Sequence, residues 1–174
     1  MKKTVLCLAV LLLLAMSLSS CLTPRVTYEP ANGTDGIASV RVYYVEKSNG
    51  YDAWSDLPDL EAMATASCEV SSDRYGELFE DLAGLDFQDF IPLAPIPMDP
   101  NFYVHGYVLA IIYESGAFEY VTPDGIQLHG ESPEEDMRTH YTCDGDEWEA
   151  FIHKYAPALS ALSATGKNTT EAEP

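Results

Sequence analysis

A chain of 174 residues with 28 acidic and 9 basic side chains carries a formal charge of −19. So acidic a chain is repelled by the phosphate backbone of nucleic acids, which excludes them as partners, and by anionic lipid surfaces. Hydrophobic residues make up 47% of it, enough for one domain of ordinary size to bury its own core.

The chain opens on Met1-Lys2-Lys3, a short positive segment. Thr4 to Leu18 follows, almost wholly apolar, with Leu11-Leu12-Leu13-Leu14 at its centre. That stretch has the length of a signal-peptide core and falls short of the roughly 20 residues that cross a bilayer. It ends in Leu18-Ser19-Ser20-Cys21: a leucine, two small residues and a cysteine. These four resemble the lipobox of bacterial lipoproteins, in which a transferase adds a diacylglyceryl group to the cysteine thiol and a dedicated peptidase cuts just before it. The resemblance implies lipidation at Cys21, with Leu18, Ser19 and Ser20 as the recognised residues. It implies a membrane partner through that lipid, and an address on the extracytoplasmic face of the cell membrane. Ala15-Met16-Ser17 also fits the small-x-small site of ordinary signal peptidase, whose cut leaves Cys21 a free thiol. Removing residues 1–20 takes two lysines and no acid, leaving 154 residues with a formal charge of −21.

Of four cysteines, Cys7 leaves with the signal and Cys21 takes the lipid. Cys68 and Cys143 remain, and outside the cytoplasm two cysteines can form one disulfide. In an anaerobic host they stay as buried thiols.

Residues 21–36 hold Pro24, Pro30, Asn32, Gly33 and Gly36 with no periodicity, and read as a flexible tether. Ile37 to Val45 is rich in Val and Tyr and predicts a first strand. Asn49-Gly50 and Asp56 to Pro58 mark turns. Glu61 to Val70 fits either a helix or a strand in its first half and a strand in its second. Ser71-Ser72-Asp73 offers capping side chains. Tyr75, Leu78, Phe79 and Leu82 then recur at i, i+3, i+4, i+7, which predicts a helix over about 72–84 ending at Gly84. A short strand over Leu85 to Phe90 precedes a proline-rich loop, Ile91 to Pro100.

Phe102 to Tyr113 is the most strand-like segment. Apolar residues at both Tyr107, Leu109, Ile111 and Val108, Ala110, Ile112 predict a central strand. Glu114-Ser115-Gly116 turns the chain, Phe118 to Val121 returns, Thr122-Pro123-Asp124-Gly125 turns it again, and Ile126 to His129 is a third strand. Ser132 to Glu135 predicts one helical turn, and Met137 to Thr142 a fourth strand. Asp144 caps a last helix over about 144–156, with the stripe Trp148, Phe151, Ile152, Tyr155. Each stripe follows a cysteine, so the two units are either a duplication or two amphipathic helices on one sheet. The expected architecture is α+β: an antiparallel meander of about four to six strands with both helices on one face. The domain spans 37–159, and a small polar tail, 160–174, should be disordered.

Gly106-Tyr107-Val108, Ile111-x-Tyr113, Gly116, Pro123-Asp124-Gly125, and Cys143-Asp144 followed by Trp148, Phe151-Ile152 and Lys154-Tyr155 resemble small lipoproteins of Gram-positive gut bacteria. In these a helix and strand precede an antiparallel meander and a closing helix. The resemblance covers Cys68 to Tyr155. It implies a fold and a compartment, and no activity.

Chemistry is thinly marked. His105, His129, His140 and His153 never form the helical His-x-x-x-His pair of a zinc site. A site from His140, Cys143 and Cys68 lacks a fourth ligand. Asp144-Gly145-Asp146-Glu147 looks like part of a calcium loop, but departs from the EF-hand order and serves equally as a helix cap. Tyr28, Tyr43, Tyr44, Tyr51, Tyr103, Tyr113 and Tyr120 fall near turns. With Trp54 they can stack on sugars or grip a protein, or they can be ordinary core aromatics. No nucleophile elbow or complete P-loop occurs, and no catalytic residue, metal or cofactor is assigned. The expected role is a non-enzymatic binding or envelope-associated module facing a protein or glycan. The alternative is an extracytoplasmic hydrolase using acidic residues.

Overall fold

The structure, a computed structural model, describes residues 25–46, 51–52, 57–89, 103–131, 137–139 and 141–162. The signal segment, the lipobox, the Asn49-Gly50 turn, the proline-rich loop, Ser132 to Glu135, His140 and the polar tail beyond 162 lie outside them. In chain order the strands are β1 (Arg25–Val26), β2 (Ile37–Val45), β3 (Tyr51–Asp52), β4 (Ala66–Glu69), β5 (Phe87–Asp89), β6 (Tyr103–Val104), β7 (Gly106–Tyr113), β8 (Phe118–Thr122), β9 (Gly125–His129), β10 (Met137–Thr139) and β11 (Tyr141–Thr142). The α-helices are α1 (Leu57–Met63), α2 (Tyr75–Gly84) and α3 (Gly145–Tyr155).

The architecture is α+β. A six-stranded antiparallel sheet runs in the order β10-β9-β8-β7-β2-β4. β7 lies centrally between β2 and β8, as apolar residues on both of its faces require. Val40, Val42, Leu109, Ile111 and Val121 share one face with Leu78 and Leu82 of α2 and Trp148, Phe151 and Ile152 of α3 in a single core. Both stripes therefore land on the same face. α3 is tied down by the Trp148 indole, which donates to the Tyr107 carbonyl at 3.1 Å. α2 is tied down by the Tyr75 hydroxyl, which accepts from the Val40 amide at 3.0 Å. The opposite face, Tyr43, Val45, Val108, Ala110 and Tyr120, packs against Leu60 of α1.

Local chemistry accounts for most boundaries. The Asp144 carboxylate accepts from the amides of Asp146 at 2.9 Å and Glu147 at 3.1 Å, so the acidic run caps α3. Gly116 has φ +96° in the β7–β8 hairpin, where a side chain would be strained. The Thr122 hydroxyl closes the β8–β9 turn, donating to the Gly125 carbonyl and accepting from the Asp124 amide.

Several expectations are corrected. The segment read as a flexible tether is docked from Arg25 onward: β1 pairs with β5, and Tyr28 is 3% exposed. Leu57 begins a helix rather than a turn, because Pro58 sits in its first turn, where no amide partner is lost. Ser71 is the N-cap of a 3-10 turn over Ser72–Arg74, but its hydroxyl bonds the Asp73 carboxylate and caps no backbone amide. Gly84 is the last residue of α2, not a left-handed cap; Leu85 leaves in extended conformation. Met137 to Thr142 splits into β10, on the edge of the large sheet, and β11, which joins β1 and β5 in a three-stranded sheet. β4 and β11, the strands before the two stripes, thus belong to different sheets, which does not suit a duplicated unit. Leu162 packs against the core, so the domain reaches past residue 159.

Candidate functional site

The sequence-marked candidates separate in space. Cys68 and Cys143 are both free thiols, each half-buried against the main core. Cys68 pairs with Val42 on the edge strand β4, and the same row continues through Leu109 to Val121. The Cys143 amide donates to the Pro123 carbonyl, just beyond Val121. Three strand spacings, about 14 Å, separate the two rows, and a disulfide needs Cα atoms closer than about 7 Å. The expected bridge is therefore not formed, and the two thiols do not meet at a zinc site. Burial raises the Cys143 thiol to about 11, which suits an inert buried thiol. Among the described residues no three His, Cys, Asp or Glu side chains are grouped to hold a metal. His105 is exposed, His129 is buried and His153 is half-buried.

The tyrosines near turns are mostly core residues. Tyr28, Tyr43, Tyr113 and Tyr120 are each below 5% exposed, and Tyr44 packs half-buried beside the core. The side chains of Tyr51, Tyr103 and Trp54 lie outside the described residues.

The polar group that the fold does single out is Glu119, in the middle of β8. It is 0% exposed and shares the core face with Ile111 and Val121. Its Oε2 accepts from the Ala31 amide at 3.2 Å and from the Tyr113 hydroxyl at 3.3 Å. Its Oε1 is buried with no hydrogen-bond partner. The Tyr28 hydroxyl lies against the same carboxylate without a hydrogen bond of regular geometry. Burial raises the Glu119 carboxyl above the usual carboxylate range, against the lowering effect of the Ala31 amide and the two tyrosines. Burial and the nearby Glu119 charge likewise raise both phenols.

Glu119 lines a cavity of about 230 Å³ between the sheet and the docked N-terminal segment. Val26, Tyr28, Ile126, Leu128 and Tyr141 supply its apolar wall. Thr27, Glu29 and Ala31, all exposed, form its rim. Sequence reading passed over Glu119, although a signal existed: with alternation of period two, Glu119 must face the same side as Val121.

A second cluster lies on the helix surface. Lys154 of α3 bridges Asp81 and Glu77 of α2, and the Tyr155 hydroxyl donates to Asp81 at 2.6 Å. The Arg74 guanidinium stacks 4.5 Å over the Tyr155 ring. The hydrogen bond from Lys154 holds Asp81 and Glu77 below the usual carboxylate range. Every charge here has a partner, so the cluster clamps two helices.

No helix among the described residues is long and apolar enough to cross a membrane. No protein-family model matches the chain, and comparison with curated proteins and with solved structures gives no match.

Proposed function

We propose that this chain is an exported lipoprotein, held on the extracytoplasmic face of the cell membrane by a diacylglyceryl group on Cys21, whose acidic domain is a binding module. The observation that carries this reading is the lipobox Leu18-Ser19-Ser20-Cys21 at the end of a Lys-led apolar segment of signal-peptide length. The resemblance to small lipoproteins of Gram-positive gut bacteria agrees with it. Two acyl chains supply enough buried methylene, at roughly 0.8 kcal/mol each, to hold an acidic domain at a surface that repels it. The docked N-terminal segment adds a geometric consequence. Only Leu22 to Pro24 separate Cys21 from β1. The Cα atoms of Cys21 and Arg25 are then at most about 14 Å apart, so the domain and its cavity rim stay close to the bilayer.

A binding role suits the Glu119 cavity: a single fixed acid at the end of an apolar recess orients a ligand. The second reading is a hydrolase. It draws on Glu29, an exposed carboxylate on the rim of the same cavity, because two acids in unlike environments can divide acid and base roles. The docking of Glu119 against the Ala31 amide and Tyr113 favours a fixed recognition group over a proton shuttle.

Replacing Cys21 with Ala tests the anchor. Wild-type chain expressed in a bacterium should take up labelled acyl chain and enter the detergent phase, and the Cys21→Ala variant should do neither. Unlabelled wild-type protein in the aqueous phase with Leu18 at its N-terminus would overturn the lipoprotein reading.

A further inference from the structure

The Glu119 cavity pairs a buried, partly unsatisfied acid with apolar walls, and the polar valences define what is missing. A carboxylate oxygen removed from water and left without a donor is costly, and only a donor or a proton relieves it. Glu119 Oε2 is already occupied by Ala31 and Tyr113, whereas Oε1 has no hydrogen bond of regular geometry, although the Tyr28 hydroxyl lies against the carboxylate. Oε1 is therefore the oxygen that can take a further strong donor, beside the Tyr28 hydroxyl. Among the described residues the rim contributes Glu29, a second negative charge, and no cationic side chain. An anionic ligand would meet two acids, and a neutral alcohol would leave Glu119 to keep its own proton. The walls, Val26, Ile126, Leu128 and the rings of Tyr28 and Tyr141, accept methylene groups. The volume, about 230 Å³, suits a fragment-sized ligand rather than a large one.

We infer that this cavity is a binding site for a primary ammonium group on a short aliphatic chain, its nitrogen donating to Glu119 Oε1 and its chain lying against the apolar wall. The inference rests on the binding-module reading above and is independent of the lipid on Cys21. A ligand whose ammonium is flanked by a phosphate is disfavoured by Glu29 at the mouth, which points to a free amine.

The charge balance fixes the pH response. Burial favours the protonated Glu119 in the empty cavity. The ammonium enters with one positive charge, and Glu119 releases one proton to solvent. Affinity therefore rises about tenfold per pH unit up to the Glu119 pKa and levels above it. The groups facing Glu119 are Tyr28 and Glu29 from the N-terminal segment, Tyr113 from β7 and Tyr141 from β11; β9 and β10 present Ile126, Leu128 and Thr139. The phenols of Tyr28 and Tyr113 are raised, so they stay neutral through this range. Glu29, on the rim, adds a second carboxyl to the same mouth.

The test is calorimetric titration of the full chain in non-ionic detergent with n-butylammonium, n-butanol and butyrate, over a series of pH values from acid to mildly alkaline. Butylammonium should bind, tighter as pH rises, with proton release read from the dependence on buffer ionisation. Butanol and butyrate should bind at least tenfold more weakly. The Glu119→Gln variant keeps an oxygen for Ala31 and Tyr113, so it should melt no lower than wild type while losing at least tenfold in butylammonium affinity. Glu29→Gln should lose only severalfold. Undetectable butylammonium binding at the highest pH overturns the inference, as does equal binding to the Glu119→Gln variant. Tighter binding of butanol or butyrate, lost on Glu119→Gln, would overturn the ammonium assignment while leaving the cavity a binding site.

Discussion

Two acidic clusters in this domain behave in opposite ways. On the helix surface, Asp81 and Glu77 are solvated, bridged by Lys154 and held below their ordinary pKa by its hydrogen bonds. Under the N-terminal segment, Glu119 is out of water, half-satisfied and raised by desolvation. The first arrangement gives and takes little, because exposed ion pairs trade water for each other at nearly equal worth. The second stores a real cost, which persists only because the surrounding strands and Tyr28 over-determine the position. Number of charges is therefore a poor guide to importance in a chain with 28 acids; the informative acid is the buried one, Glu119.

The largest expected effect tests whether the N-terminal segment truly roofs the cavity. Tyr28→Ala removes a side chain that is 3% exposed and should destabilise the domain by roughly 3–5 kcal/mol, as for other buried aromatics. Tyr28→Phe keeps the ring and removes only the hydroxyl that lies against Glu119, so it should cost far less. Urea unfolding of both variants decides the matter. A Tyr28→Ala midpoint equal to wild type would mean that the segment is a tether after all and that the cavity has no roof.

Next in size is the Glu119 carboxylate itself. Glu119→Gln should be at least as stable as wild type, and its advantage should grow as pH rises through the folded Glu119 pKa, since a neutral amide avoids the cost of ionising a buried, half-paired acid. The sign follows from linkage. A raised folded pKa means that the native state binds the Glu119 proton more tightly than the unfolded chain, so this group makes wild type more stable as pH falls from its folded pKa toward 4.5. The wild-type minus variant difference in denaturant midpoint should shrink across that window. A constant difference from neutral pH to below 4 would break the contrast between the clusters.

The two regions were also unequally legible. The helix stripes could be read directly, because Tyr75, Leu78, Phe79, Leu82 and Trp148, Phe151, Ile152, Tyr155 repeat at helical spacing, and one apolar face per helix dictates one sheet face. β7 was legible because its two faces are both apolar. The Asp144 cap was legible from residue type alone. Nothing comparable marks the roof of the cavity. β1 is two residues long, and Tyr28 sits among prolines and glycines that read as linker. It docks through long-range pairing with β5, which no local period reports. Met137 to Thr142 shows the same limit: a continuous strand pattern divides at residue 140 between two sheets. Cys68 and Cys143 each neighbour a helix start, but that similarity placed them in like surroundings at opposite sides of the core, not together.

The smallest expected effect is the one that defines the other half of the contrast. Lys154 is exposed yet touches Asp81, Glu77 and the Tyr155 ring. Lys154→Met keeps the aliphatic stem that lies along Tyr155 and deletes only the charge. Asp81 still accepts from the Tyr155 hydroxyl, and Arg74 still bonds Glu77 at 3.3 Å and the residue-154 carbonyl at 3.0 Å. The loss at neutral pH should therefore be slight, and added salt should erase it, because both partners are screened. It should also vanish in acid: a depressed folded pKa gives stability that is present above the ordinary carboxylate range and lost as pH falls through the folded value. Chemical denaturation of this variant with and without salt, at neutral pH and below pH 3, separates the cases. A large, salt-resistant loss would show that the clamp between α2 and α3, and not their shared apolar face, sets how the helices sit on the sheet.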